Sequence, residues 1–350
     1  MVSKRRLLIK FKCPCGADTY FDSINCAFCG AMLGLNPKTW NYEFLTKDGN
    51  TYPSKSMSSG AICKNGLQYG VCNWIRDPRS KNGLCFSCSF NRYIPNLETQ
   101  ENISRWKILE LAKRRLFFNL LRLNIKWSSR WVSPEKGLLF DFLEDSRTSP
   151  NIHPAEFVST GYSKGIITIN VLEADPAQRA AQKAANKEVY RTVLGHMRHE
   201  SGHYLWDMLQ AESEIRKSFC RVFGNPGQDY EKALNKFYSK GQRPDWTDSY
   251  ITPYASSHPI EDWAETWGHY LHIYDGLETA KAFNLVEPNS GQAGVRDRLK
   301  TWQDLTIKLN EMNRSMGLND LYPFVINEPV IQKFEYIDEI IRALQKPDLS

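Results

Sequence analysis

His199, Glu200 and His203 form an H-E-x-x-H pattern within residues 189–210, a stretch that reads as one continuous helix. Residues four apart share a helix face, so both imidazoles can bind a single zinc ion while Glu200 stands beside a water on that ion. Two neutral imidazoles leave the ion its positive charge, which polarises a carbonyl and lowers the pKa of bound water from about 15.7 towards about 7. A neighbouring carboxylate can take the water's proton and pass it to a leaving amine. These residue types at this spacing are those of a zinc hydrolase. A catalytic zinc needs a third protein ligand, and Ser201-Gly202 leaves room for another segment to pack closely against the helix.

Residues 257–272 supply candidates. Ser257 is placed to cap a helix, Pro259 suits its first turn, and Glu261 and Asp262 follow where acidic residues are favoured. Glu261 and Glu265 share a face, beside the apolar stripe of Ile260, Trp263, Ala264, Trp267 and Leu271. Carboxylates on so apolar a face need a partner. Zinc provides one if Glu261 is the third ligand and Glu265 holds a ligating histidine in its tautomer. On residues alone, His258, His269 and His272 compete with Glu261 for that place.

The two segments together resemble the glutamate-ligand zincins, the gluzincins, in which H-E-x-x-H is followed by a helix bearing E-x-x-A-E, here Glu261-Asp262-Trp263-Ala264-Glu265. In lethal-factor-type members the first glutamate binds zinc and the second supports the site. The resemblance therefore implies Glu261 as ligand, with Glu265 behind it. It also implies that Tyr254, seven residues before Glu261, stabilises the oxyanion, where a donor acts on charge developing in the transition state. A closer resemblance covers most of the chain. Residues 190–207 and 257–272, with Gly165-Ile166-Ile167-Thr168-Ile169-Asn170, Val222-Phe223-Gly224 and Leu321-Tyr322-Pro323-Phe324, look like the zinc-binding metallopeptidases that carry an N-terminal zinc ribbon. In zincin folds the strand before the active-site helix forms a sheet edge. Ile167, Thr168 and Ile169 are thus expected to bind an extended peptide through backbone hydrogen bonds.

Cysteine placement divides the chain, since eight of nine cysteines precede residue 89. In a reducing compartment such clustering argues for metal rather than disulfides. Cys13, Cys15, Cys26 and Cys29 resemble a zinc ribbon, with Gly16 and Gly30 permitting the turns whose amides point at sulfur. The departure is the first pair, C-x-C where a ribbon has C-x-x-C. Cys63, Cys72, Cys85 and Cys88 form a second set of four. Redox use of Cys85 and Cys88 is disfavoured because no βαβ pattern surrounds them. Cys220, alone in an apolar helical stretch, reads as a core thiol.

With 350 residues and 41% hydrophobic content the chain can form two domains. No stretch approaches the roughly 18 apolar residues of a membrane span. The N-terminus has charge followed by only three apolar residues, too few for a secretory leader, which points to the cytoplasm. Residues 101–125 are helical and basic, with Trp106, Phe117 and Phe118 interleaved, and read either as a nucleic-acid surface or as a core helix with a solvated basic side. A net charge of +6 does not decide between them. Residues 177–187 read as a connecting helix, and 299–316 and 330–344 as supporting helices.

The expectation is an α+β fold, a cysteine-rich zinc-ribbon β module over residues 1–98 followed by a mostly helical, zincin-like peptidase domain with a small sheet over residues 99–350. One catalytic and one or two structural zinc ions are implied, with a protein or peptide substrate and a nucleic-acid or protein partner for the ribbon module. Three alternatives stand beside this. One is a nucleic-acid-directed protease of the SprT-like kind, which uses a third histidine; another is an inactive zinc-stabilised interaction protein; the last is a hydrolase of non-peptide amides.

Overall fold

The computed structural model describes residues 10–51, 60–148, 157–186 and 188–345; the N-terminal residues 1–9, on which the leader argument rests, lie outside them. The chain is a helix-rich α+β protein in two compact units. One comprises Met1–Phe118, Trp127–Gly161 and Ile166–Arg179, the other Asn119–Lys126, Tyr162–Gly165 and Ala180–Ser350. Among the described residues no helix is long and apolar enough to cross a membrane.

In the first unit β1 (Phe11–Lys12) pairs with β2 (Asp18–Thr19), β3 (Leu33–Leu35) with β4 (Tyr42–Phe44), and β5 (Ala61–Ile62) with β6 (Ile75–Arg76), all antiparallel. Ladders of two or three residue pairs cannot hold themselves together in water. Aromatic packing and the cysteine turns around α1 (Lys64–Tyr69) take over that task. Trp40 meets Phe118 edge-on at 4.6 Å and Trp74 at 5.4 Å, and Phe21 meets Phe118 at 5.2 Å. Phe118 belongs to α2 (Gln100–Arg122), most of which falls in this compact unit.

The basic residues of α2 are not all solvated. Lys113 and Arg114 are buried; Lys113 pairs with Glu110 at 3.0 Å, and Arg114 donates to the Val71 carbonyl at 2.6 Å. Arg115 lies over the rings of Phe21 and Phe118. Lys113 and Arg114 are thus committed to the interior, while Lys107 stays exposed and Arg115 partly so.

The strand β7 (Asn91–Tyr93), before α2, and the strands β8 (Leu139–Leu143) and β9 (Ile166–Asn170), after it, lie parallel in that order. The expected open edge at Ile166–Asn170 is not found: a fourth strand, Gly161–Ser163, flanks it, so in strand order this segment lies inside its sheet. Ile167 and Ile169 are fully buried, and Asn170, the last residue of β9, donates to the Thr160 hydroxyl and the Val158 carbonyl. A nearly continuous β-branched run is the signature of a strand covered on both faces, and here the Ile167 and Ile169 face is buried while Ile166 and Thr168 on the other are partly exposed.

In the second unit α3 (Pro176–Ala185), whose first residues belong to the first unit, carries no buried residue. The motif helix, α4 (Val193–Leu209), starts later than predicted because Thr192 caps it, its hydroxyl accepting the Gly195 N–H at 2.9 Å. Next come α5 (Ser213–Val222) and α6 (Tyr230–Lys240). Cys220 is exposed rather than a core thiol, since Phe219 takes the buried face of α5. The helix α7 (Pro259–Ala282) is capped by His258, not Ser257: the His258 Nδ1 accepts the Ile260 N–H at 3.1 Å.

The helices α4 and α7 touch where side chains are smallest. A Cβ on Gly202 would come within 2.9 Å of the Trp267 ring and 3.0 Å of the Ala264 Cα, so only glycine admits this approach. The Trp263 indole donates to the Gly202 carbonyl at 2.8 Å and the Trp267 indole to the Ser201 hydroxyl at 2.9 Å, tying the helices in register. Behind them α8 (Val295–Ser315) and α9 (Glu328–Leu344) brace α7. Tyr270 donates to Asp338 at 2.7 Å, Lys333 pairs with Asp262 at 2.6 Å, and Gly276 makes way for Trp302.

Candidate metal centres

Among the described residues three groups of side chains converge closely enough to share a metal ion, each with its donor atoms within 4.8 Å of one another. In the first unit Cys13, Cys15, Cys26 and Cys29 form one and Cys63, Cys72, Cys85 and Cys88 another. With zinc–sulfur bonds of about 2.3 Å, a tetrahedron has sulfur–sulfur edges of about 3.8 Å. The Cys13–Cys29 and Cys15–Cys26 sulfurs are 3.8 Å apart, and Cys72–Cys85 3.6 Å. The shortened C-x-C pair therefore reaches the same arrangement as a C-x-x-C pair. Gly16 and Gly30 adopt φ of 95° and 71°, closing turns in which the Cys15 and Cys29 amides point at the Cys13 and Cys26 sulfurs. The Cys29 amide is the main influence lowering the Cys26 thiol to about 6, the direction a metal-bound thiolate needs.

The second cysteine group is wholly buried. Its sulfurs receive N–H groups of Trp74 and Cys85, and the Cys88 thiol faces Glu110 at 3.6 Å. Burial opposes ionisation of Cys72, yet its thiol neighbours and the Arg114 charge hold it well below the ordinary range.

In the second unit α4 contributes His199 and His203, and α7 contributes Glu261. The His199 Nε2 is 3.1 Å from the His203 Nε2 and 3.0 Å from the Glu261 Oε2, and the His203 Nε2 is 3.5 Å from the Glu261 Oε1. Glu265, one turn along α7, meets the His199 Nδ1 at 2.6 Å, and Thr252 donates to the other Glu265 oxygen at 2.6 Å. A carboxylate accepts, so the His199 proton sits on Nδ1 and its Nε2 lone pair faces Glu261. Lone pairs so close repel unless a cation or a further proton lies among them. Burial alone would lower the His199 pKa, but the Glu261 and Glu265 carboxylates outweigh it and hold that pKa well above the usual range. The buried Glu261 Oε2 makes no hydrogen bond. With bonds of about 2.0–2.2 Å a tetrahedral zinc separates its N and O ligands by about 3.3–3.6 Å, so this donor set, at 3.0–3.5 Å, fits the ion once it opens by a few tenths of an ångström.

Two groups of a different kind flank these donors. Glu200 is 8% exposed and makes no hydrogen bond or ion pair with another described residue. Tyr254, in the turn leading to α7, lies with its ring 6.0 Å from that of His199. Burial first, then the Glu261 carboxylate, raises the Tyr254 pKa well above its ordinary value, so the phenol keeps its proton.

The histidines that competed with Glu261 are engaged elsewhere. His258 caps α7, the His269 Nδ1 meets the Tyr322 hydroxyl at 2.8 Å, and the His272 Nδ1 meets Arg198 at 2.5 Å. Ile167, Thr168 and Ile169 fall in the first unit, as an inner strand of its sheet. Sequence reading did not single out Tyr230, whose hydroxyl donates to the Glu261 Oε1 at 2.5 Å, or Thr252, or Tyr162, whose ring stacks over His203. No spacing rule links these residues to the motif, because long-range packing brings them there.

A family model described as "Putative zinc-binding metallo-peptidase" matches residues 102–340, and one described as a zinc-ribbon domain matches residues 10–99. Uncharacterized proteins of Mycobacterium bovis and Mycobacterium tuberculosis are 34% identical to this chain over 95% of its length and 94% of theirs. No solved structure matches.

Proposed function

The chain belongs to the zinc-binding metallo-peptidase family, with an N-terminal zinc-ribbon domain, and from that premise we propose that it is a gluzincin-type peptidase using His199, His203 and Glu261 as zinc ligands. The observation carrying this reading is the meeting of the His199, His203 and Glu261 donor atoms, with the Glu261 Oε2 lacking any hydrogen bond, beside the uncommitted carboxylate of Glu200. A zinc ion held there supplies a Lewis acid that polarises the scissile carbonyl and acidifies a water.

The remaining chemistry belongs to the protein's own groups. Glu200 takes the proton of the attacking water and delivers it to the leaving nitrogen, so one carboxylate serves as base and then acid. Tyr254 donates its retained proton as a hydrogen bond to the carbonyl oxygen as negative charge builds on it. Glu265 holds the His199 proton on Nδ1 and so keeps Nε2 turned towards the centre. In the first unit the two cysteine groups serve as structural zinc sites.

The test is a Glu200→Gln variant assayed for zinc content and for cleavage of a peptide mixture. It is expected to keep its zinc and lose turnover, and normal cleavage by that variant would sink the mechanism.

A further inference from the structure

Glu261 has two oxygens, and they are treated differently. Oε1 receives the Tyr230 hydroxyl at 2.5 Å; Oε2 faces the His199 Nε2 at 3.0 Å and has no hydrogen bond. Tyr230 is the first residue of α6, set by the Asp229 cap that accepts the Lys232 N–H. The tyrosine is 41% exposed, whereas the carboxylate its hydroxyl reaches is 1% exposed. An otherwise surface-lying helix thus sends one polar group inward, onto the Glu261 oxygen that lies 3.5 Å from the nearer imidazole, while the other oxygen lies 3.0 Å from its own. Tyr254, the tyrosine singled out from the sequence, makes no hydrogen bond with another described residue.

We propose that Tyr230 is a positioning residue of the metal centre: its hydroxyl occupies the Glu261 Oε1 and leaves Oε2 as the single oxygen presented to the ion. The proposal rests on the reading of Glu261 as a zinc ligand. A carboxylate free to rotate binds a metal through one oxygen or through both. Holding one oxygen in a hydrogen bond selects the first mode, fixes the carboxylate plane, and keeps a coordination position open for water or substrate. The two tyrosines thereby divide the work, Tyr230 acting through a ligand and Tyr254 on the reacting oxygen.

The experiment measures zinc affinity of the full chain by competition with a chelator, for wild type, Tyr230→Phe, Tyr254→Phe and Glu261→Ala. Glu261→Ala identifies which zinc equivalent belongs to this centre. Tyr230→Phe should weaken that equivalent by about 10–100-fold, the usual effect of losing a partner of a metal ligand, while Tyr254→Phe leaves it unchanged. With cobalt in the centre, Tyr230→Phe should also show weaker visible absorption, because a second Glu261 oxygen raises the coordination number. A merely structural role would not alter that spectrum. If Glu261→Ala loses an equivalent but Tyr230→Phe binds as tightly as wild type with the same cobalt spectrum, the role of Tyr230 is overturned and the centre stands. If Glu261→Ala keeps every equivalent, both readings fall.

Discussion

The cysteine groups of the first unit and the His199–His203–Glu261 group of the second each gather lone pairs around a point, but they differ in donor number and access. Each cysteine group brings four sulfurs, and one of the two is completely buried. The other centre brings three donors, leaves both imidazoles partly exposed at 12–13%, and sets Glu200 and Tyr254 beside them. Four donors close a tetrahedron and leave chemistry no place, whereas three leave one position open. The surroundings differ in the same sense. The strands around the cysteines are too short to fold by their own ladders, while α4 and α7 are long helices packed on each other and braced by α8 and α9.

The largest expected effect breaks the two regions apart. Stripping all zinc with a strong chelator should unfold the strands around the cysteines, since a structural zinc contributes on the order of 10–16 kcal/mol of apparent folding free energy. The helices α4 and α7 should remain folded. Hydrogen exchange would show it as lost protection in residues 11–44 and 61–76 with retained protection in residues 193–209 and 259–282. Equal loss in both regions would erase the distinction between structural and reactive sites.

Within the second unit, Glu200→Gln should lower turnover about 100- to 10,000-fold with the zinc count unchanged, as for loss of a general acid–base group. Tyr254→Phe should cost about 100- to 1,000-fold in kcat with KM little altered, which steady-state kinetics would separate. The smallest effect belongs to Glu265→Gln. It leaves all three donors in place but loosens the His199 tautomer, and chelator competition should show zinc affinity about 10–100-fold weaker.

What could be read from the chain follows the range of the interactions. His199 and His203 lie four apart on a helix, as do Glu261 and Glu265, so local periodicity alone placed each pair on one face. The cysteine turns were legible for the same reason, because Gly16 and Gly30 mark where the backbone must take positive φ. Choosing Glu261 over three histidines needed the resemblance, since helical spacing cannot say what faces a helix from elsewhere. Tyr230 and Thr252 were invisible because their partners lie 31 and 13 residues away. The strand Ile166–Asn170 misled for a related reason: its run of β-branched residues says strand, but only its neighbours decide whether it is an edge. For the basic residues of α2 two readings stood open, since charge in a sequence does not reveal that Lys113 and Arg114 are buried.

The two middle positions of H-E-x-x-H are written as free, and in this protein they are not. Ser201 donates to the Arg198 carbonyl and accepts from Trp267, and Gly202 has no room for a methyl group. The motif therefore holds five specified letters rather than three. Drift at 201 and 202 should be as constrained over evolutionary time as drift at the histidines, and a search pattern of H-E-S-G-H paired with two tryptophans would separate sequences built this way from those sharing only the metal-binding letters.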